Sequence, residues 1–517
     1  MAHLGNPAAI TPNFDEFAKN DAVSFSRTFC QNPVCVPSRC SFMTGLYPHV
    51  HGHRTMAYLL RPGEDSLLKE LKDGGYYVWM NDRNDLTAGE IEGWTESQAD
   101  EIYYTDGTKR APGPKENLRG ERGSKNYYSH YNGELKTDEN GVNYSADDQA
   151  VDAAIERLLN PVDDRPVCAF IGLLYPHVPY NVEEPYFSAI DRSKLKKRID
   201  HADCKGKAPI MNAIRNNLSM ENYTEKDWDE LRATYLGMCM KVDYQFGRLV
   251  NALKKAGIYE DSAIFVLSDH GDFTGDYSLV EKAQNTFEDC LTNVPLLIKP
   301  PKGYDVDAGV SDALTELVDF YATVAAIAGI TPSHTHYGRS LVRNIADRAL
   351  KNRDFVCSEG GREAGEIHCD EFHAAGANGP DKSVVYWPRI SAEKDDVLHD
   401  KGIMIRTERY KYISRSKGKD EFYDLEKDPS EKVNAIDDES YVGEVIKLKG
   451  ELLKWLQQTA DVVPFNYDAR FTEKMLWAKV SAMVPPEEKD KVLGFIKDGI
   501  SFSQLINYCV GLKKGKR

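Results

Sequence analysis

The sequence lacks features that mark several classes of protein. No apolar run reaches the ~18–20 residues of a membrane-spanning helix, and the N-terminal segment lacks the basic flank and apolar core of a signal peptide. Basic residues are in the minority, with 65 Lys and Arg against 81 Asp and Glu. Because neutralising phosphates needs a basic face, we expect no nucleic-acid partner, and we expect no membrane partner. An anionic ligand would need a local cluster of cations.

The ten cysteines include no C-x-x-C pair, which argues against a zinc ribbon or a thioredoxin-type motif. Several cysteines, such as Cys168 and Cys239, stand in apolar runs, where a buried free thiol is ordinary. Unpaired thiols favour a reducing compartment, so we expect a cytoplasmic protein. A signal peptide encoded upstream of this sequence would change that expectation.

Apolar runs alternate with helical patterns, which predicts an α/β fold with a largely parallel sheet. Three runs read as buried strands, each followed at once by polar residues. They are Gly75–Met80, Val167–Leu174 and Ala263–Ser268. Because ligand sites form at the carboxyl ends of such strands, we expect the residues after all three to lie together.

The remaining patterns predict helices and a second, smaller region. The predicted helices are Asp147–Leu159, Trp228–Gly257, Asp312–Ala328 and Gly443–Gln458. Beyond residue 380 the runs VVYWP, IMIRTERYKYIS and EFYDLEKDP are typical of short strands in an antiparallel sheet. We therefore expect a catalytic domain over residues 1–380 and a C-terminal subdomain with a helical tail over residues 381–517.

The strongest local pattern begins at Cys35. Pro37 suits the first turn of a helix and Gly45 suits its end, which places Cys35 at the helix N-terminus with Arg39 one turn further on. Free N–H groups, the helix dipole and a guanidinium together make an anion site, and the same field stabilises a thiolate. The alternative is a buried cysteine beside a proline-initiated helix.

The run CVPSRCSFMTGLYPHVHGH resembles the signature of the type I sulfatases, in the alkaline-phosphatase superfamily. The resemblance continues through SDHGD and the NVPL run to EFYDLEKDPSEKVN, so it extends as far as Asn434. It implies an alkaline-phosphatase-like α/β fold: a mixed, mostly parallel sheet sandwiched by helices, with a smaller C-terminal antiparallel-sheet subdomain.

The resemblance also implies a cofactor chemistry. In this family a maturation enzyme oxidises the motif cysteine to formylglycine, whose hydrated aldehyde attacks sulfur. By resemblance, Cys35 is that residue and Arg39 holds and polarises it. Asp269 and His270 resemble metal ligands that act together with the group derived from Cys35. The usual family metal is Ca²⁺, with Mg²⁺ or Mn²⁺ as alternatives, and a plain polar turn is the other interpretation of Asp269 and His270.

Four further residues are candidates by resemblance. Arg83 and Asp85 stand where the family has a sulfate-binding lysine and a histidine, although both could belong to a solvated loop. His177, in YPHVPY, resembles the leaving-group acid or a sulfate ligand. Lys282 resembles a lysine that contacts sulfate. The series His49, His51 and His53 suggests metal ligands, but the family carries a similar stretch without a metal.

One departure from the family concerns the first metal ligands. Sulfatases begin with a buried strand that ends in adjacent carboxylates, and no such strand precedes Asn6 in this sequence. We therefore expect a metal site short of two ligands and an open position in the sheet. A misplaced start codon, a truncated form and a degenerate member are the alternatives.

The implied activity is hydrolysis of a sulfate monoester of a carbohydrate or of a small aryl or alkyl compound. One alternative is a phosphonate or phosphate ester hydrolase of the same superfamily. Another is an inactive member that binds sulfated ligands. Residues 100–145 and Gly360–His373 are candidate substrate walls because they combine basic and aromatic side chains, although solvated loops have similar compositions.

Overall fold

The computed structural model describes residues 1–109, 118–134, 144–367, 385–463 and 470–514. The chain divides into two compact units, Met1–Val462 and Val463–Arg517. The domain boundary predicted at residue 380 lies outside the described residues. Every strand and every predicted site residue belongs to the larger unit.

The described residues form thirteen strands. They are β1 (Val23–Phe29), β2 (Tyr77–Asn81), β3 (Glu101–Tyr103), β4 (Ser129–Tyr131), β5 (Val167–Phe170), β6 (Tyr180–Val182), β7 (Ile264–Leu267), β8 (Asn293–Lys299), β9 (Gly309–Glu316), β10 (Val356–Gly360), β11 (Gly402–Arg406), β12 (Tyr410–Arg415) and β13 (Glu421–Asp424). The three strands predicted from apolar runs are confirmed as β2, β5 and β7.

The described residues also form seventeen α-helices. They are α1 (Pro12–Asn20), α2 (Cys35–Thr44), α3 (Pro48–His51), α4 (Leu67–Asp73), α5 (Trp94–Ser97), α6 (Ala146–Leu159), α7 (Tyr186–Ala189), α8 (Pro209–Leu218), α9 (Glu225–Ala256), α10 (Asp289–Thr292), α11 (Val318–Ala328), α12 (Val342–Ala346), α13 (Trp387–Glu393), α14 (Val442–Thr459), α15 (Glu473–Val480), α16 (Lys489–Lys497) and α17 (Phe502–Lys514).

The strands pair into two larger sheets and two smaller groups. One sheet has the order β7-β8-β1-β9, with β8 antiparallel to its neighbours and β9 parallel to β1. The sheet β3-β2-β5 is parallel throughout, with Trp79 of β2 opposite Glu101 and Ala169. The sheet β10-β11-β12-β13 is antiparallel, and β4 pairs with β6. The mixed and parallel sheets and the separate antiparallel sheet agree with the predicted fold class.

Helices cover both faces of the sheet that contains β2. Val78 and Met80 join a core cluster with residues of α2, α4 and α11, whereas Tyr77 and Trp79 pack with Ala154 of α6. Successive side chains of a strand point to opposite faces, so each face of β2 meets its own helical layer. All five positions of β2 are buried, as expected for a strand covered on both sides.

Two predictions of secondary structure were wrong. The segment 312–328, predicted as one helix, is the end of β9 followed by α11, because residues up to Glu316 pair in parallel with the buried strand β1. The run VVYWP, predicted as a strand, passes into α13, whose first turn contains Pro388. Proline supplies no backbone N–H and suits a first helical turn better than a central strand.

The strands β5 and β7 are the end strands of their sheets within the described residues. All four residues of β5 and three of the four in β7 are half-buried. Phe170 of β5 and Leu267 of β7 nevertheless pack against the same core cluster.

The smaller unit has its own apolar core. Its members come from α15, α16 and α17 and include Val480, Val492 and Leu505, all fully buried. In neither unit is a described helix both long enough and apolar enough to cross a bilayer.

Candidate active site

Cys35 is the first residue of α2, as the sequence predicts. Val34 precedes the helix in an extended conformation, and Gly45 ends it with φ of 69°. A side chain at Gly45 would meet His336 and Tyr321 at 2.8 Å, so glycine is required both for its conformation and for its neighbours. Cys35 is 2% exposed, at the helix end where backbone N–H groups have no helical partner.

His270 lies directly against Cys35. Its Nε2 atom is 3.1 Å from Cys35 Sγ, and its Nδ1 atom lies 2.7 Å from the carbonyl of Gly271. Since Nδ1 donates to that carbonyl, Nε2 presents its lone pair toward the sulfur. A Cβ at Gly271 would be 2.0 Å from the carbonyl oxygen of Cys290, so only glycine permits this turn after β7.

Asp269 binds the guanidinium of Arg39. Arg39 Nε donates to Asp269 Oδ2 at 2.8 Å, and both side chains are largely buried. Burial acts to raise the pKa of Asp269, but the electrostatic effects of the neighbouring His270 and Arg39, with the hydrogen bond from Arg39, outweigh it and hold that pKa well below its usual range. The Asp269 carboxylate is therefore ionised at any physiological pH.

The loop after β2 brings Asp85 to the other side of Arg39. Arg39 donates to the carbonyl of Asn84 at 3.0 Å, and the Asp85 carboxylate lies 3.8 Å from the guanidinium. Asp85 has φ of 45°, in the left-handed region, which a short polar side chain tolerates best. The Nε atom of Arg83 is buried without a hydrogen-bond partner, so this guanidinium has capacity for an anion.

His177 and Lys282 form a second contacting pair of the site. Lys282 Nζ lies 2.9 Å from His177 Nε2, while His177 Nδ1 lies 2.7 Å from the carbonyl of Val178. Burial, followed by the charges of Lys282 and Arg83, lowers the pKa of His177 well below its usual value. His177 is therefore neutral, and it accepts the ammonium proton of Lys282.

The structure brings all eight predicted residues together. Contacts join Asp85, Arg39, Asp269, His270 and Cys35 in one series. The charge of Lys282 acts on both Asp269 and His270, and that of Arg83 acts on His177. The carboxyl ends of β2, β5 and β7 thus converge, as the sequence predicts.

Other residues of the site left no recognisable sequence signal. The amide of Asn81 exchanges two hydrogen bonds with the backbone of Gly172, which ties the end of β2 to the chain after β5. Asp147, at the start of α6, accepts from the backbone of Leu174 and Tyr175 just before His177. Both contacts join positions far apart in sequence, so sequence patterns do not reveal them. Asp147 was visible in the sequence only as the start of a helix.

Asp272, two residues after His270, has its own buried hydrogen-bond partners. It accepts from the Tyr180 hydroxyl at 2.5 Å and from Thr274, and burial raises its pKa to about 6. Because the same Tyr180 hydroxyl accepts from the backbone of Glu281, Asp272 links the turn after β7 to the neighbourhood of Lys282.

Three of the predicted residues could hold a metal. The donor atoms of Cys35, Asp269 and His270 lie within 4.8 Å of one another. Asp269 Oδ2 is engaged by Arg39, whereas Oδ1 lies 3.8 Å from His270 Nε2, on the side of the cysteine. Within the described residues, these three side chains make up the whole group.

One wall beside His177 is aromatic and basic. The ring of Tyr386 lies 5.8 Å from that of His177, and the guanidinium of Arg122 stacks 4.3 Å above Trp387. Two nitrogens of Arg122, Nε and Nη2, are buried without hydrogen-bond partners. Parts of both predicted substrate walls lie outside the described residues. They are residues 110–117 and 135–143 of the first wall and residues 368–373 of the second.

Comparisons with known proteins agree with this geometry. A family model described as Sulfatase matches residues 1–330. A sulfatase of Formosa agariphila is 25% identical over 495 residues, covering 91% of this chain and 87% of that protein. Arylsulfatase K of Gallus gallus is 24% identical, covering 89% of this chain and 81% of that protein.

Solved structures share the fold. A phosphonate monoester hydrolase of Agrobacterium radiobacter superposes with a TM-score of 0.68 at 21% identity, covering 89% of this chain and 93% of that one. This likeness confirms the alkaline-phosphatase-like architecture, whereas the family match and the sulfatase relatives bear on the chemistry. The chain belongs to the sulfatase family and is a hydrolase that acts on sulfuric ester bonds.

Proposed function

We propose that Cys35 is converted to formylglycine and that the mature protein cleaves a sulfate monoester through it. The observation that carries this proposal is the position of Cys35: at a helix N-terminus, 3.1 Å from His270, within the group that contains Arg39, Lys282 and His177. A maturation enzyme that reads the CVPSR run is the partner that this step requires. When converted, Cys35 supplies a hydrated aldehyde whose hydroxyl attacks sulfur.

We propose Ca²⁺ as the metal, held by Asp269, His270 and the group derived from Cys35. The Asp269 carboxylate is a hard oxygen donor, and its Oδ1 atom lies toward the other two ligands. A bound divalent cation would polarise the ester and lower the pKa of the attacking hydroxyl. Ca²⁺ takes about six to eight oxygen ligands, so this small set should bind it weakly, and Mg²⁺ or Mn²⁺ are the alternatives.

The cations of the site bind and orient the sulfate. Lys282 lies beside His177, the charge of Arg83 acts on the same imidazole, and Arg39 contacts Asp269 and Asp85, so the site contains three cations. Charge that develops on the sulfate oxygens during transfer is stabilised by donors already in place. The unpartnered Nε atom of Arg83 suits it to this task.

His177 and Asp85 take part in proton transfer. His177 holds one proton of Lys282 at its Nε2 atom, where an ester oxygen that leaves as an alcohol needs a proton. Asp85 replaces the histidine of the family motif, and its carboxylate accepts a proton from the group derived from Cys35 when sulfate is released.

We propose a sulfated carbohydrate as the substrate class. The wall beside His177 combines the faces of Tyr386 and Trp387 with the guanidinium of Arg122. Aromatic rings pack against the apolar faces of sugars, and a buried guanidinium with spare donors binds a second sulfate or a hydroxyl. A small aryl sulfate would use the same reaction centre without this wall.

The conversion of Cys35 is tested by mass spectrometry of the α2 peptide from protein co-expressed with a maturation enzyme. We expect an aldehyde in place of the thiol at Cys35 and an intact thiol at Cys40, which lies in the same helix and serves as an internal control. An unmodified Cys35 in a protein that hydrolyses sulfate esters would contradict the proposal.

A further inference from the structure

A second group of metal-ligand side chains lies outside the catalytic site. It consists of His51, His53 and Glu64, whose donor atoms all lie within 4.8 Å of one another. In the sequence, His51 and His53 suggested metal ligands only as part of a histidine series that the family carries without a metal. Glu64 completes the set only in the folded chain.

Each histidine faces a different oxygen of the Glu64 carboxylate, at a spacing close to that between two ligands of one metal ion. His51 Nδ1 lies 3.2 Å from Glu64 Oε1, and His53 Nε2 lies 3.3 Å from Glu64 Oε2. Zinc–nitrogen and zinc–oxygen bonds of ~2.0–2.1 Å in a tetrahedron give ligand–ligand separations of about 3.3 Å.

A second observation concerns the orientation of His53. The residue is only 7% exposed, and its Nδ1 atom lies 2.8 Å from the carbonyl of Tyr58. That hydrogen bond places a proton on Nδ1, so in the neutral imidazole the lone pair is on Nε2, which faces Glu64. Nε2 is buried and has no hydrogen-bond partner. A backbone carbonyl on the far nitrogen is the usual support of a metal-ligating histidine.

Solvent can reach the group from one side. The side chain of His51 is 35% exposed and that of Glu64 20% exposed, so an ion can enter and a water molecule can complete its coordination. Two neutral imidazoles and one carboxylate suit a borderline dication such as Zn²⁺, whereas Ca²⁺ prefers oxygen ligands.

We propose that His51, His53 and Glu64 bind a Zn²⁺-type dication that braces the loop after α3. The segment between these residues packs on α2: the sulfur of Met56 accepts from the backbone N–H of Val36, and Leu60 is buried in the same cluster as Cys35. The ion joins the two ends of this segment and holds it over the start of the helix that carries Cys35. The site has no catalytic part and is independent of the function proposed above.

The test is Zn²⁺ titration of the full-length protein in saturating Ca²⁺, followed by calorimetry and by metal analysis after dialysis. We expect one tightly held Zn²⁺ per chain, with at least a tenfold loss of affinity in H51A, H53Q and E64Q. D269N, in the catalytic group, should keep this Zn²⁺. Because His51 is partly exposed, H51A should fold normally, which unchanged circular dichroism would verify.

The matched control is H49Q. His49 lies two residues from His51 but bonds to Glu359 and to the carbonyl of Thr459 instead. It should bind Zn²⁺ like the wild type, and Zn²⁺ should raise the melting temperature of wild type and H49Q but not of H51A. Equal Zn²⁺ affinity in H51A and wild type, or loss of the ion in D269N alone, would overturn the proposal.

Discussion

Lys282 Nζ lies 2.9 Å from His177 Nε2, and the other ring nitrogen of His177 donates to the carbonyl of Val178. The shared proton therefore belongs to Lys282, and the neutral imidazole holds it in place. An ammonium beside a neutral imidazole binds an anion and presents a proton to it at the same position. This pair explains how one side of the site both binds a sulfate ester and assists its leaving group.

The first prediction concerns stability at low pH. Unfolded His177 takes up a proton below its ordinary pKa of 6.5, whereas in the folded protein burial and Lys282 keep it neutral to lower pH. The unfolded state thus binds more protons, and the free energy of unfolding should fall below pH ~6.5 by up to about 1.4 kcal/mol per pH unit. Above that pH, His177 does not make the free energy of unfolding depend on pH.

Urea denaturation between pH 5 and pH 8, a range chosen around the ordinary histidine pKa, measures this effect. In H177Q, the free energy of unfolding should fall less steeply with decreasing pH, because the contribution of His177 is absent. K282M removes the neighbouring charge, so the pKa of His177 should rise and the fall in stability should become smaller. A pH profile of H177Q that runs parallel to the wild type would show that His177 is not held neutral.

The second prediction compares the two carboxylates beside Arg39. D269N removes the partner of a buried guanidinium, so we expect a loss of about 3–5 kcal/mol in the free energy of unfolding. D85N, whose carboxylate is 34% exposed and 3.8 Å away, should cost less than about 1 kcal/mol. Equal losses in the two variants would contradict the assignment of Asp269 as the main partner.

The third prediction concerns the turn after β7. A methyl group in G271A would overlap the carbonyl of Cys290, so the turn must shift and His270 with it. We expect at least a hundredfold loss of kcat/KM for a sulfate ester, because small displacements of positioned groups have effects of this size.

The control for this variant is G443A in α14. Gly443 has no neighbour within 4 Å of the added methyl group, and alanine is the better helix former. G443A should retain full activity and gain up to about 1 kcal/mol of stability. Full activity in G271A would show that the position of His270 does not depend on this contact.

The fourth prediction concerns the substrate wall. R122A should raise KM for a sulfated oligosaccharide about tenfold with little change in kcat, because a charged hydrogen bond contributes about 1.5–3 kcal/mol. For a small aryl sulfate, KM should stay constant. R165A is the control, since Arg165 precedes β5 and lies at the opposite end of that strand from His177. An equal effect of R122A on both substrates would argue against a sugar-binding wall.

Local sequence patterns predicted where part of the candidate site lies, and the resemblance to the sulfatases supplied the rest, Lys282 among them. Pro37 and Gly45 define the ends of α2 and so place Cys35, and polar residues after β2, β5 and β7 converge where those strands end. The segment up to Glu316 was predicted as a helix from its local pattern. It forms the end of β9 instead, because pairing with β1 outweighs that local preference.

Other contacts could not be predicted, because they join positions far apart in the chain. Asn81 bonds to Gly172, and Glu64 joins His51 and His53 only after the intervening loop has folded back. The sequence pattern of a helix or strand reports which face is buried, but not which distant loop its polar ends meet. Asp147 was visible as a helix start, yet its role in holding the loop before His177 required coordinates.

The central claim is that a group derived from Cys35 cleaves sulfate esters. The most direct test measures kcat/KM for 4-nitrophenyl sulfate and for an aryl phosphonate monoester, using matured wild type and C35A with Ca²⁺ present. The proposed mechanism predicts faster turnover of the sulfate ester by the wild type and background rates for both substrates in C35A. Unchanged sulfate hydrolysis in C35A, or a wild type that turns over only the phosphonate, would contradict it.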